Sequence, residues 1–161
     1  MKTGAMIVAL VLASGSALAQ APELIGGASV IDGDTIEIHG ERIRLFGIDA
    51  IEAHQTCTLP TGAKWRCGGA AAEALAVHLA KKPTSCAVRG TDRYNRSVAV
   101  CRTAEGDVND WLVRNGWAMA YRAYSTDYVA AEVEASRAGL GIWAAQFEAP
   151  WQWRKAQRVS K

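Results

Sequence analysis

Two alternating apolar stretches with almost nothing between them set the strongest limit on how this chain folds. Ile36 and Ile38 alternate with polar neighbours, and so do Ile43 and Leu45, the pattern of half-buried strands. Only His39-Gly40-Glu41 separates them, a tight turn. Strand character returns at residues 85–89 and 97–102, around an Asp92-Arg93-Tyr94-Asn95 turn. Links this short cannot hold helical crossovers, so most of the strands pair as antiparallel neighbours. Between the two hairpins, residues 64–82 change period: Ala72, Leu75, Ala76 and Leu79 form a helix stripe that Pro83 stops. Asp107 is placed to cap a short helix carrying Val108, Trp111 and Leu112, ending near Gly116. A last helix begins near Thr126 or Asp127, shows Val129, Val133, Ser136 and Leu140 on one face, and ends at Gly139–Gly141. The pattern predicts an α+β fold: a small closed β-barrel of about five strands with about three helices. At 161 residues the chain holds one such domain.

The first residues read as a secretory signal over 1–19. Lys2 supplies the positive start, residues 5–13 the apolar run, and Ala17-Leu18-Ala19 the small residues before a cleavage site. That run is shorter than the roughly 20 residues a membrane span needs, and an uncleaved anchor is the competing reading. Cleavage after Ala19 would deliver a periplasmic or secreted protein with no membrane segment. With 21% charged residues and a net charge of +2, the composition excludes an acidic disordered chain and leaves the partner open. In an oxidising compartment the even count of Cys57, Cys67, Cys86 and Cys101 favours disulfides. Zinc competes, but the spacings lack a Cys-x-x-Cys element. Of three possible pairings the local one is favoured: Cys57–Cys67 closing a loop, and Cys86–Cys101 across two strands that share a turn.

Two acidic clusters flank the first hairpin, Asp32-Gly33-Asp34-Thr35 before it and Asp49-Ala50-Ile51-Glu52 after it. If the hairpin folds as read, three to four carboxylates converge where the chain turns. Such charges repel unless a cation or an arginine lies between them. Oxygen ligands select a hard ion, Ca²⁺ or Mg²⁺, and a flexible loop site favours Ca²⁺. Asp-Gly-Asp is equally an ordinary turn. Two arginines add context. Arg44 lies on the polar face of the strand leading to Asp49, and Arg96 follows the second turn, in a segment (81–102) with six Lys/Arg against one acid. Carboxylates, a hard cation and two guanidiniums suit a phosphate ester: cation and arginines neutralise charge building on phosphorus, and a spare carboxylate activates water. A surface salt-bridge network is the bland alternative.

These residues carry a family resemblance. The run Val30-Ile-Asp-Gly-Asp-Thr35, then Arg44-Leu-Phe-Gly-Ile-Asp-Ala-Ile-Glu52, then Asp92-Arg-Tyr-Asn-Arg96, resembles the staphylococcal nuclease (thermonuclease) family. The likeness continues through Val108-Asn109 and Leu112–Gly116 to the weaker Gly139-Leu-Gly-Ile-Trp143, over roughly residues 26–146. It implies an OB-type barrel, with residues 20–25 as a lead and 147–161 as an aromatic and basic tail. By the resemblance, Asp34 and Asp49 are Ca²⁺ ligands and Ala50 gives a backbone carbonyl. Glu52 activates water, Arg44 and Arg96 grip the scissile phosphate, and Asp32 is an outer acid. Tyr124 and, with less support, Tyr121 or Arg122 surround the nucleotide.

The implied activity is Ca²⁺-dependent hydrolysis of DNA and RNA to 3′-phosphate ends by a monomer acting on single or frayed strands, with Mg²⁺ or Mn²⁺ the lesser alternatives. Two positions depart from the family. Ile51 replaces a usual Pro, which is expected to free the backbone carrying Glu52 and lower activity. Asn95 replaces a usual Gly, and Asn tolerates a left-handed turn. His39, His54 and His78 share no ligand spacing, with a minor reading of His54 as a residue that tunes the site. Trp111, Trp117 and Trp143 read as core, and the tail as an aromatic anchor rather than added nucleic-acid grip. Two other functions compete: a non-catalytic binding module on the same barrel, and an exported Ca²⁺-binding accessory protein.

Overall fold

A computed structural model describes residues 22–159; the signal segment expected at 1–19 lies outside the described residues. The first strand, β1 (Glu23–Gly27), runs through the single residue Ala28 into β2 (Ser29–Asp32). The hairpin of β3 (Thr35–Ile38) and β4 (Glu41–Leu45) follows, turning at His39 and Gly40. Both adopt positive φ, 53° and 82°, the backbone of a two-residue hairpin turn. After β5 (Ile48–Ala50) come two two-residue strands, β6 (Cys57–Thr58) and β7 (Lys64–Trp65), then helix α1 (Cys67–Leu79). The second hairpin is β8 (Pro83–Thr91) and β9 (Ser97–Thr103). The remainder is β10 (Gly106–Asp107), α2 (Val108–Arg114), β11 (Ala118–Ala120), α3 (Val129–Ala138), a 3-10 turn over Gly141–Ala144 and α4 (Pro150–Val159).

The main sheet runs β1-β8-β9-β4-β3-β2, with β10 added beside β9. Its two terminal strands, β1 and β2, are joined through Ala28, so the sheet curls until its ends meet. Counting β1 and β2 as one strand bent at that residue, five strands enclose the core, as the sequence leads one to expect. Neighbours along this path are antiparallel except β4 and β9, whose long connection holds α1 and four strands and so permits parallel pairing. The alternation read from the sequence holds: Ile36, Ile38, Ile43 and Leu45 point inward and are 0–1% exposed. Leu75 and Leu79 from α1, and Val108, Leu112 and Val113 from α2, close the core. A smaller cluster of Ile51, Cys57, Cys67 and Ile142 is flanked by Trp65, Trp143 and Phe147. Both expected disulfides are present, Cys57–Cys67 and Cys86–Cys101, the second between residues directly opposite on β8 and β9.

Four expectations need correction. Residues 23–25 are not a lead but part of β1, paired with β8 at Glu23↔Ala87 and Ile25↔Ser85. Residues 150–159, read as an aromatic and basic tail, form a fourth α-helix, started by the buried Pro150 at a position where a missing N–H costs nothing. In α1 the buried face is Cys67, Ala71, Leu75 and His78–Leu79, so Ala76 faces solvent. In α3 the buried residues are Ala131, Glu132 and Ala135, whereas Val133, Ser136 and Leu140 are exposed. Small alanines let α3 lie close against α2, and buried Glu132 is paired by Arg122 at 2.5 Å. Asp107 caps α2 as read, its carboxylate accepting from the Asp110 N–H at 3.0 Å.

Candidate active site

The Asp32-Gly33-Asp34 turn joins β2 to β3 and is pinned by its own first acid: the Asp34 N–H donates to Asp32 Oδ1 at 3.1 Å. Gly33 lets this turn press on β5, since a Cβ there would lie 2.7 Å from that of Ala50. The contact brings Asp34 to β5, where the Ala50 N–H donates to Asp34 Oδ2 at 3.2 Å. The Thr35 hydroxyl, next along the chain, donates to Oδ1 at 3.1 Å. Thr35 faces Arg44 across the β3–β4 ladder, so Arg44 emerges over the turn. Its Nη2 lies 2.9 Å from Asp34 Oδ2 and 2.7 Å from Asp49 Oδ1. Asp49 is wholly buried and Asp34 is 5% exposed. Two carboxylates taken out of water therefore converge on one nitrogen atom.

The electrostatics follow from that burial. Loss of water pushes the Asp34 carboxyl up to about 7; Arg44 pulls it back, while Asp32 and Asp49 push it further up. Burial works against the Arg44 charge, but Asp34 and Asp49 outweigh it and hold the guanidinium protonated more firmly than usual. The donors are hard oxygens, and the strain on Asp34 is relieved by positive charge. The pair thus fits a hard divalent cation better than a soft one. Among the described residues no group of three or more His, Cys, Asp or Glu side chains is arranged to hold an ion. Protein carboxylates alone would then leave most of the shell to backbone carbonyl, water and substrate oxygens.

Glu52 follows β5 on a short loop packed against the start of α1. The Gln55 N–H donates to the Glu52 carbonyl at 2.8 Å, and the Glu52 N–H to Gln55 Oε1 at 3.4 Å. Ile51, expected to leave this backbone loose in place of proline, is 1% exposed and packed in the smaller core. Burial there supplies restraint that the sequence alone does not reveal. On the far wall, Arg96 is held by Asp92 through Nε at 2.8 Å and Nη2 at 2.7 Å, and its Nη1 reaches the Thr35 hydroxyl at 3.4 Å. Burial opposes ionisation of Asp92, but hydrogen bonds from Arg96 and Tyr94 hold its carboxyl below the usual range. Asn95 takes φ 61°, the left-handed turn expected of it.

Asp34, Arg44, Glu52, Arg96 and Tyr121 line one groove of about 720 Å³, together with Arg154 of α4. Asp32, Ala50 and Tyr124 line it as well, while Asp49 lies beneath, reached through Arg44. Tyr124 is 70% exposed, and Tyr121 stacks between it and Trp151 with centroids 5.2 and 5.7 Å away. His54 is exposed, and Trp111, Trp117 and Trp143 pack against the two cores. Arg154 is the member that sequence reasoning misses. Its Nη1 and Nη2 grip the two Asp49 oxygens at 3.0 and 2.7 Å, and Nη1 also meets Glu52 Oε1 at 2.6 Å. The available signal is Pro150 opening a segment with Arg154 and Arg158 four residues apart, which places both on one helix face.

Residues 42–145 match the family model described as staphylococcal nuclease homologue. Over 148 residues the chain is 45% identical to the succinoglycan biosynthesis protein ExoI of Rhizobium meliloti, covering 90% of this chain and 76% of that protein. It is 30% identical to an uncharacterized endonuclease of Haemophilus influenzae, covering 81% and 72% of the two chains. A further uncharacterized endonuclease, from Escherichia coli O157:H7, is 33% identical over 78% of this chain and 80% of its own.

Proposed function

The chain belongs to the staphylococcal nuclease family, and from that premise we propose that it is a Ca²⁺-dependent nuclease hydrolysing phosphodiester bonds of DNA and RNA. The observation that carries this reading is the convergence of buried Asp34 and Asp49 on one nitrogen of Arg44, in the groove that Glu52 and Arg96 also line. Asp34 and Asp49 would hold the ion with the Ala50 carbonyl, Asp49 through the lone pair of Oδ2 that its one contact with Arg154 leaves, and a backbone carbonyl in an irregular shell favours Ca²⁺ over Mg²⁺ or Mn²⁺. When bound, the ion supplies positive charge to the phosphate and to the attacking oxygen.

Glu52 accepts a proton from water as the water oxygen bonds to phosphorus. The bond from phosphorus to the 5′ oxygen breaks, the leaving oxygen takes a proton from solvent water, and the phosphate stays on the 3′ oxygen. Arg44 and Arg96 donate to the non-bridging oxygens as charge accumulates on five-coordinate phosphorus. The contacts of Arg44 to Asp34 and Asp49 both use Nη2, which leaves its other donors for phosphate. Exposed Tyr124, backed by Tyr121, offers a ring face to unpaired bases, which favours single or frayed strands over intact duplex. The signal-like start and two disulfides support export of the mature protein to the periplasm or beyond.

Purified oxidised protein incubated with single-stranded DNA in Ca²⁺, in EDTA, and as the Glu52→Gln variant tests the proposal. Cleavage in Ca²⁺ that stops in EDTA and falls by about 10²-fold or more in the variant is the expected result. Wild-type protein that binds the strand without cutting it would instead identify a binding module on a nuclease barrel.

A further inference from the structure

The Arg154 guanidinium does something that neither Arg44 nor Arg96 does: it touches Glu52. One nitrogen, Nη1, contacts both Glu52 Oε1 at 2.6 Å and Asp49 Oδ1 at 3.0 Å. Two carboxylates sharing one nitrogen would repel each other if it were removed. Glu52, with a side chain about one third exposed, is the one free to swing away, because Asp49 is wholly buried. The second nitrogen, Nη2, completes a two-point grip on Asp49 at 2.7 Å, and this fixes the plane of the guanidinium. The grip on Glu52 uses Oε1 alone and leaves Oε2 for water.

The helix that carries Arg154 is fastened to the same loop it clamps. Gln55, 2% exposed, donates from Nε2 to the Glu148 carbonyl at 2.6 Å, just before α4, and also bonds the Glu52 backbone. Three residues on, Thr58 exchanges two backbone hydrogen bonds with Gln146, both at 2.8 Å. Cys57, beside Thr58, is tied to the first residue of α1 by its disulfide. Helix α4 and the Glu52 loop are therefore braced to one frame, and the guanidinium sits at a set distance from the carboxylate.

We propose that Arg154 is a positioning residue that holds the Glu52 carboxylate against Asp49, aimed at the attacking water. This rests on the nuclease reading above. Arg154→Met keeps the stem and removes the charge; it is expected to lower kcat by about 10²-fold, the effect of misplacing a reacting group by an ångström, with KM changed less than about threefold. Arg154→Lys, which keeps the charge on one nitrogen but loses the two-point grip on Asp49, should recover part of that loss. Lys155→Met, on the exposed side of the same helix, should leave kcat unchanged. The deciding measurement is a double-mutant cycle. In a Glu52→Gln background, Arg154→Met should cause little further loss, because its effect passes through Glu52.

Losses that multiply in the double variant, or an Arg154→Met enzyme with kcat equal to or above wild type, would overturn the proposal; the latter would make Arg154 a plug in the site. Urea melts of the same four proteins give a readout independent of cleavage: non-additive midpoints show that residues 154 and 52 interact even if no turnover occurs. An inactive wild type with coupled midpoints defeats the nuclease reading. An active wild type with additive rates defeats only the inference drawn from Arg154.

Discussion

Gly68 is the second residue of α1, and a Cβ there would lie 1.8 Å from the carbonyl oxygen of Glu52. No side chain fits between the helix and the loop. Gly68→Ala exchanges a poor helix former for the best one, yet it must push the Glu52 backbone outward. The expected outcome is a kcat loss of about 10²-fold, with helix content by circular dichroism preserved. Unchanged turnover would show that the loop can move without consequence. Asp34 sets a second test at this scale. Its carboxyl, raised from the ordinary 3.8 to about 7 by burial, holds a proton in the folded metal-free protein that the unfolded chain releases. Stability from this group is thus full below about pH 4 and is lost as pH rises through about 7. If Ca²⁺ is the ion, as proposed above, it requires the ionised form, so its dissociation constant should grow by up to about tenfold per pH unit below 7. Calorimetric titrations at pH 8, 7 and 6 measure this, and a constant affinity would contradict it. Asp34, Arg44, Asp49 and Glu52 can be read from the sequence because strand alternation and short turns bring them together locally. Arg154 cannot, since its partners Glu52 and Asp49 lie 102 and 105 residues away.

Elements differ in how much of themselves they reveal. The two hairpins are legible because alternation and turn residues act over a few positions, and the pairing of Cys86 with Cys101 follows from the second hairpin's register. Helices α1 and α3 are legible as helices but not in their orientation. An alanine-rich segment has no unique apolar stripe, so packing partners decide which alanines face inward. In α3 buried Glu132, paired with a half-exposed Arg122, takes the place that apolar Val133 claims in a helical wheel. The disulfides also have separate duties. Cys86–Cys101 lies in the main core, whereas Cys57–Cys67 lies in the smaller core beside Ile51, under the Glu52 loop. Serine replacement of either pair should cost about 2–4 kcal/mol of stability. Only the Cys57/Cys67 replacement should also lower kcat, by tenfold or so if about half an ångström of freedom reaches Glu52. Urea melts and initial rates on the two double variants separate these effects, and equal kcat in both would contradict the division.

Across the whole molecule, the barrel encloses the core and supplies acids from its strands and turns, while α4 returns an arginine to them from outside. The class of the fold is legible because strand and helix signals alternate in an order that few small architectures accept. The full extent of the domain is not: β1 contains two glycines, and the helical spacing that Pro150 opens does not tell where α4 docks. The ion-pair cluster accordingly joins residue 34 to residue 154 and draws its members from two strands, a turn, a loop and one helix. No fragment that folds by itself on the way to the native state can contain all of it. Until α4 docks, Asp49 and Glu52 lack their Arg154 partner, so by the inference drawn above the last helix sets the final rate of the enzyme.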